Sequence, residues 1–216
     1  MREEVCVWQR IMSPREKAML LVGCESLVSK DSLTVYVPGA AGYTKSFPQY
    51  GIPSTVMADG PVGVRIFPIK VDGKRHYCTC FPSSTLLAST WDTQLVETQA
   101  GAMGEEAAVY DVDVILTPGI NIMRNPLCGR NFEYFSEDPV LSGLMGAAMV
   151  NGVQSRGIGT SLKHFVANNQ QVNKLNNDSR IPVKALREIY LKGFEICLQH
   201  SNPWTVMSSY NKIGGI

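Results

Sequence analysis

The sequence predicts an α/β fold on a parallel sheet, a TIM-like (β/α) barrel left incomplete at its C-terminal end. Three observations lead there. Short apolar runs alternate with segments of helical periodicity, the pattern of strand–helix–strand units. Each apolar run ends in polar residues, as strand C-termini do where α/β enzymes place their sites. No Gly-x-Gly-x-x-Gly turn precedes the first helix, which disfavours a dinucleotide-binding sheet and leaves the barrel as the better choice.

The elements follow in chain order. Ser13-Pro14-Arg15-Glu16 is a capping box with Pro at the first helical position, starting a helix that stops near Gly23. Residues 24–50 show no clean period and read as loop. A first strand, Ser54 to Ala58, runs into Asp59-Gly60-Pro61. Asp92 caps a helix whose apolar stripe is Val96, Ala100, Met103, Ala107 and Tyr110. A second strand, Val112 to Leu116, ends in Thr117-Pro118-Gly119 and Asn121. Asp138-Pro139 opens the next helix, striped by Leu141, Leu144, Met145, Ala148 and Met149. A third strand, Gly159 to Leu162, ends in Lys163-His164. Leu186, Ile189, Tyr190, Phe194 and Cys197 mark a third large helix. A fourth strand, Thr205 to Met207, leads into Ser208-Ser209-Tyr210-Asn211. Short strands near 79–87 and 166–175 would raise the count to five or six. A full barrel has eight strands over typically ~250 residues. The turn-like Gly214-Gly215-Ile216 directly after a strand therefore reads as an unfinished barrel.

Bulk properties narrow the class. The 216 residues suffice for one large domain with a real core. Hydrophobic content of 44% and charge of 18% are those of an ordinary soluble protein. With 20 basic and 19 acidic residues the net charge is +1, which argues against nucleic acid or an anionic membrane as partner. No apolar run reaches the length of a membrane span. The first twenty residues lack the apolar stretch of a secretory leader, so a cytoplasmic location is expected, with the 6 cysteines reduced. Cys78-Thr79-Cys80 lacks nearby partners for zinc and reads as two ordinary thiols, so no metal or cofactor is expected. Trp91 and Trp204 read as core or interface rings, and His76 and His200 as surface residues.

The segment Gly129 to Pro139 stands apart. Arg130, three acids (Glu133, Glu137, Asp138) and three aromatics (Phe132, Tyr134, Phe135) lie between apolar segments. Aromatic faces stack on the C–H face of a sugar ring while charged groups hydrogen-bond its hydroxyls, so this composition suits a polyhydroxylated ligand.

At this point the motifs resemble a family. ADGPVGVR (58–65), FPSSTLLASTWD (81–92), GEEAAVYDVDVILTPGINIMRNPLCGRNFEYFSEDP (104–139), GTSLKHFVANNQ (159–170), ALREIYLKGFE (185–195) and PWTVMSSYNKIGG (203–215) are similar to the N-terminal part of glycoside hydrolase family 3, the β-glucosidase group. The resemblance implies a TIM-like barrel followed by an α/β sandwich domain that this chain lacks, and exo-cleavage of a terminal β-linked sugar with retention. Retention needs a nucleophile and an acid/base carboxyl ~5–5.5 Å apart. The family's nucleophile lies on the strand after the Tyr210-Asn211 one and its acid/base usually in the second domain, so no catalytic carboxylate is expected here. By the same resemblance Asp59, Arg65, Arg130, Lys163, His164, Met207 and Tyr210 hold the sugar. Asp59 accepts from hydroxyls, Arg130 donates its planar fork, and Lys163 and His164 donate to adjacent hydroxyls. Met207 packs at the apolar face, and Tyr210 points toward the nucleophile or ring oxygen. Glu133 and Glu137 brace the cations, Phe132, Tyr134 and Phe135 shape the wall, and Asp138 caps a helix. The expected partner is a β-glucoside or oligosaccharide. Lys174 stands where many relatives have Arg, Met123 where they have His or Gln, and Pro182-Val183-Lys184 where they have a helix cap. Two other readings stay open: a non-catalytic sugar-binding fragment, and a Schiff-base lyase with Lys163 as the amine.

Overall fold

The structure is a computed structural model; it describes residues 11–24, 37–71 and 73–216. Helix α1 (Pro14–Leu21) carries the expected capping box: Ser13 Oγ accepts from Glu16 N at 3.3 Å and Glu16 Oε2 accepts from Ser13 N at 2.8 Å. The loop read over 24–50 is corrected in its last part, where strand β1 (Gly42–Tyr43) pairs antiparallel with β2 (Val56–Asp59). Residues 25–36 of that loop lie outside the described residues. A hairpin of β3 (Ile69–Val71) and β4 (Lys74–His76) follows. It had no period-2 signal, because its second strand, Lys-Arg-His, is fully exposed.

The stretch near 79–87 is corrected from strand to helix: Ser83 Oγ accepts from Leu86 N and starts α2 (Ser84–Ala88). Helix α3 (Thr93–Val109) is capped by Asp92 as expected and buries Val96, Ala100, Met103 and Ala107. Strand β5 (Val114–Leu116) leads through a long segment to α4 (Pro139–Gln154), where Asp138 Oδ1 accepts from Val140 N at 2.7 Å and Leu141 N at 2.8 Å. Strand β6 (Gly159–Phe165) runs beyond its expected end and includes Lys163 and His164. The stretch near 166–175 forms turns instead of a strand; pairing resumes at β7 (Asp178–Ser179). The third large helix is broken into an α-turn (Val183–Ala185), a π-turn (Leu186–Tyr190) and α5 (Lys192–His200). Its N-cap, Pro182, makes no side-chain capping bond. Strand β8 (Thr205–Ser208) joins the sheet, and β9 (Lys212–Ile213) pairs with β7.

The main sheet has the order β1-β2-β5-β6-β8. Its last four strands are neighbours in chain order and all parallel, with helices in every crossover. Such a strand order, curled by the native twist, is half of an eight-stranded barrel. Ala58, Ile115 and Leu162 from the strands pack against Met103, Ala107, Met145 and Met149 from α3 and α4. Because α4 lies between α3 and α5, it is buried nearly all round, wider than the stripe expected of it. The C-terminal ends of β2, β5 and β6 thus come together at one face of the sheet.

Candidate active site

At that face a cavity of roughly 510 Å³ is lined by Asp59, Arg65, Arg130, Phe132, Glu133 and Lys163, with Cys78, Thr79 and Cys80 on its far wall. Asp59 is the last residue of β2, and the chain then turns back so that Arg65 N donates to Asp59 O at 2.8 Å. The turn requires Gly63: its φ is +122°, and a Cβ there would lie 2.2 Å from Thr79 O. It brings Arg65 Nη1 to 3.3 Å from Asp59 Oδ2, a largely exposed pair.

Lys163 enters from β6 and is almost fully buried. A parallel ladder places it beside Met207 of β8, so the two share a face of the sheet. Its Nζ lies 2.9 Å from Glu133 Oε2, itself buried. The other carboxylate oxygen of Glu133 takes the Nε–H of Arg130. One buried carboxylate therefore meets two cations, which leaves the remaining Arg130 and Lys163 donors beside the cavity. A buried charge is tolerated only when paired and hydrogen-bonded, and Glu133 supplies that pairing from a 3-10 turn (Asn131–Glu133).

Two expectations are corrected. Glu137 is exposed, lines a separate cleft with Trp91 and Met123, and pairs with neither cation among the described residues. Tyr134 and Phe135 are buried in the core instead of forming the wall, which falls to the half-exposed Phe132. Tyr210 is exposed, with Lys174 Nζ 5.2 Å from its ring centroid. Trp91 and Trp204 are exposed, which sets aside the core half of their reading and leaves the interface half open. His76 and His200 are at the surface as expected.

His164 follows Lys163 but does not line the cavity wall with it. Its Nδ1 lies 3.2 Å from Tyr134 Oη and 3.3 Å from Asn121 Oδ1. Asn121 clamps its backbone as well, accepting from His164 N and donating to His164 O, each at 2.9 Å. Burial, then the positive charges of Arg130, Lys163 and Lys174, hold the ring's pKa down to about 2, so it is neutral at physiological pH. Burial also pushes the Tyr134 phenol well above its ordinary range. The sequence pattern by itself assigns no role to Asn121, Asn168 or Thr79. Only Asn121 had a signal, a polar residue just past a strand end.

Sequence and structure comparisons agree with this geometry. The model of the glycosyl hydrolase family 3 N terminal domain matches residues 50–215. The thermostable beta-glucosidase B of Acetivibrio thermocellus is 47% identical over 177 residues, covering 80% of this chain and 23% of that protein. An exo-alpha-(1->6)-L-arabinopyranosidase of Bifidobacterium longum is 46% identical over 196 residues, covering 88% of this chain and 26% of that protein. The structure of beta-glucosidase 3B from Thermotoga neapolitana in complex with glucose superposes with a TM-score of 0.92 at 50% identity, covering 98% of this chain and 30% of that one. The chain thus spans about a quarter of the curated relatives it matches. With the motif set, the half-barrel and these matches in agreement, the chain belongs to glycoside hydrolase family 3, as part of its N-terminal domain.

Proposed function

We propose that this chain is the sugar-holding part of a retaining exo-β-glycosidase acting on terminal β-D-glucosyl residues. The observation that carries the reading is the cluster of buried Lys163 and Glu133 with partly buried Arg130, beside Asp59 around one cavity. Such a site matches a sugar's needs: a carboxylate acceptor, fixed cationic donors and an aromatic face in Phe132. The acids around it are already committed. Glu133 is held by two cations, Asp59 is paired with Arg65, and Asp138 caps α4. That supports a nucleophile and an acid/base supplied from outside these residues.

Joined to the remaining family 3 sequence, the chain should restore hydrolysis of an aryl β-glucoside, and Asp59→Ala or Lys163→Ala should slow it by orders of magnitude. Unchanged rates in both variants would remove those residues from the site. An arabinopyranosidase among the relatives makes the sugar itself the next measurement, by comparing aryl glucosides with aryl arabinopyranosides. The Schiff-base reading is disfavoured by the Lys163–Glu133 ion pair, since imine formation needs a free amine. For the chain alone, glucose titration against Lys163→Ala separates sugar binding from no binding.

A further inference from the structure

We propose that Tyr134 is a positioning residue which, oriented by Asn168, fixes the proton of His164 on Nε2. Gln171 Nε2 donates to the carbonyl oxygen of Gln170 at 3.1 Å and to Asn168 Oδ1 at 2.9 Å. An amide oxygen only accepts, so Asn168 turns its NH₂ to Tyr134 and donates to Oη at 3.0 Å. The phenol then has its own hydrogen left to give, and His164 Nδ1, at 3.2 Å, is its acceptor. A ring nitrogen that accepts carries no hydrogen, so the proton of the neutral imidazole sits on Nε2.

The competing partner of Nδ1 is Asn121 Oδ1 at 3.3 Å. That oxygen already accepts from His164 N at 2.9 Å, and the Asn121 amide is held in this orientation by its bond to His164 O. If Nδ1 instead donated to Asn121, the Tyr134 hydroxyl hydrogen would have no acceptor among the described residues. Tyr134 is 0% exposed, so no water could replace it. Asn121 (2%), His164 (3%) and Asn168 (5%) are equally closed off. The whole chain of donors therefore runs one way, from Gln171 to Asn168 to Tyr134 to His164. Where the sugar-site reading holds, on which this consequence rests, the fixed tautomer keeps Nε2–H as the single donor of the His164 ring, on the side away from Tyr134 and Asn121.

Selective ¹⁵N labelling of the 3 histidines, with His164→Gln for assignment, reads the protonation of each ring nitrogen directly. In this chain His164 Nδ1 is expected in the unprotonated range and Nε2 in the protonated range. Tyr134→Phe leaves Nδ1 facing only the Asn121 acceptor and should reverse the tautomer. Asn168→Asp keeps every ring in place and should reverse it too, because the carboxylate takes the phenol hydrogen. A proton on Nδ1 in the unaltered chain, or on Nε2 in both variants, overturns the proposal. Glucose titration of the same samples tests the sugar site separately: failure to bind overturns that reading and leaves the tautomer result standing.

Discussion

At the scale of single residues, the site is held by a few buried polar groups whose protonation the fold dictates. His164 shows this most sharply. Unfolded, it takes up a proton below its ordinary value of 6.5; folded, it stays neutral down to about 2. The unfolded state therefore binds more protons across that window, and this group's contribution to stability falls as the pH drops from 6.5. Lys163, Arg130 and Lys174 oppose protonation in the fold, while Tyr134 and Asn121 face the ring without adding charge. Denaturant midpoints measured between pH 7 and 4 should fall less steeply in His164→Gln than in the unaltered chain. Equal slopes would mean that this imidazole is hydrated and titrates normally.

Among the elements, α4 has the most contacts to lose. Its Gly152 lies against α3: a Cβ there would sit 2.3 Å from Glu97 O and 2.7 Å from Ala100 Cβ. Both neighbours belong to a helix and cannot swing aside, so the helices must separate. Gly152→Ala should destabilise by about 1–3 kcal/mol despite its better helix propensity. Chemical denaturation checks this, and a gain in stability would show that α3 and α4 can shift apart freely. The cap is a smaller lever at the same helix. Asp138→Ala removes the acceptor of two backbone N–H groups and should cost about 1 kcal/mol on the same assay.

At the scale of the whole sheet, β8 forms one edge of the five-stranded order. Thr205, Val206 and Ser208 of this strand are exposed, and Trp204 beside it is 58% exposed. A parallel strand of a closed barrel is covered on both faces, so this edge is open to pairing with another chain. Light scattering of the chain alone should show association that grows with concentration and is reduced in Val206→Lys, since an edge charge blocks strand addition. A monomer at all concentrations would mean that the edge is protected in solution.

Periodicity and capping are local, so the four parallel strands and the caps at Ser13, Asp92 and Asp138 were legible in the sequence, while Asp59, Lys163 and Arg130 were marked by the resemblance of their motifs to a family. It also marked Glu133, but equally Glu137, and spacing in a loop does not say which acid turns inward. Tertiary packing settles that, by placing Glu133 between the buried Lys163 and the partly buried Arg130 and leaving Glu137 in solvent. It likewise moved Tyr134 from the wall to the core and joined it to Asn168 and His164, residues more than twenty-five positions away. A hydrogen-bond chain between distant segments leaves no periodic trace in any one of them. It exists only once β6 and the segment after β5 have been packed together, and there the cost of an unpaired buried polar group selects the partners.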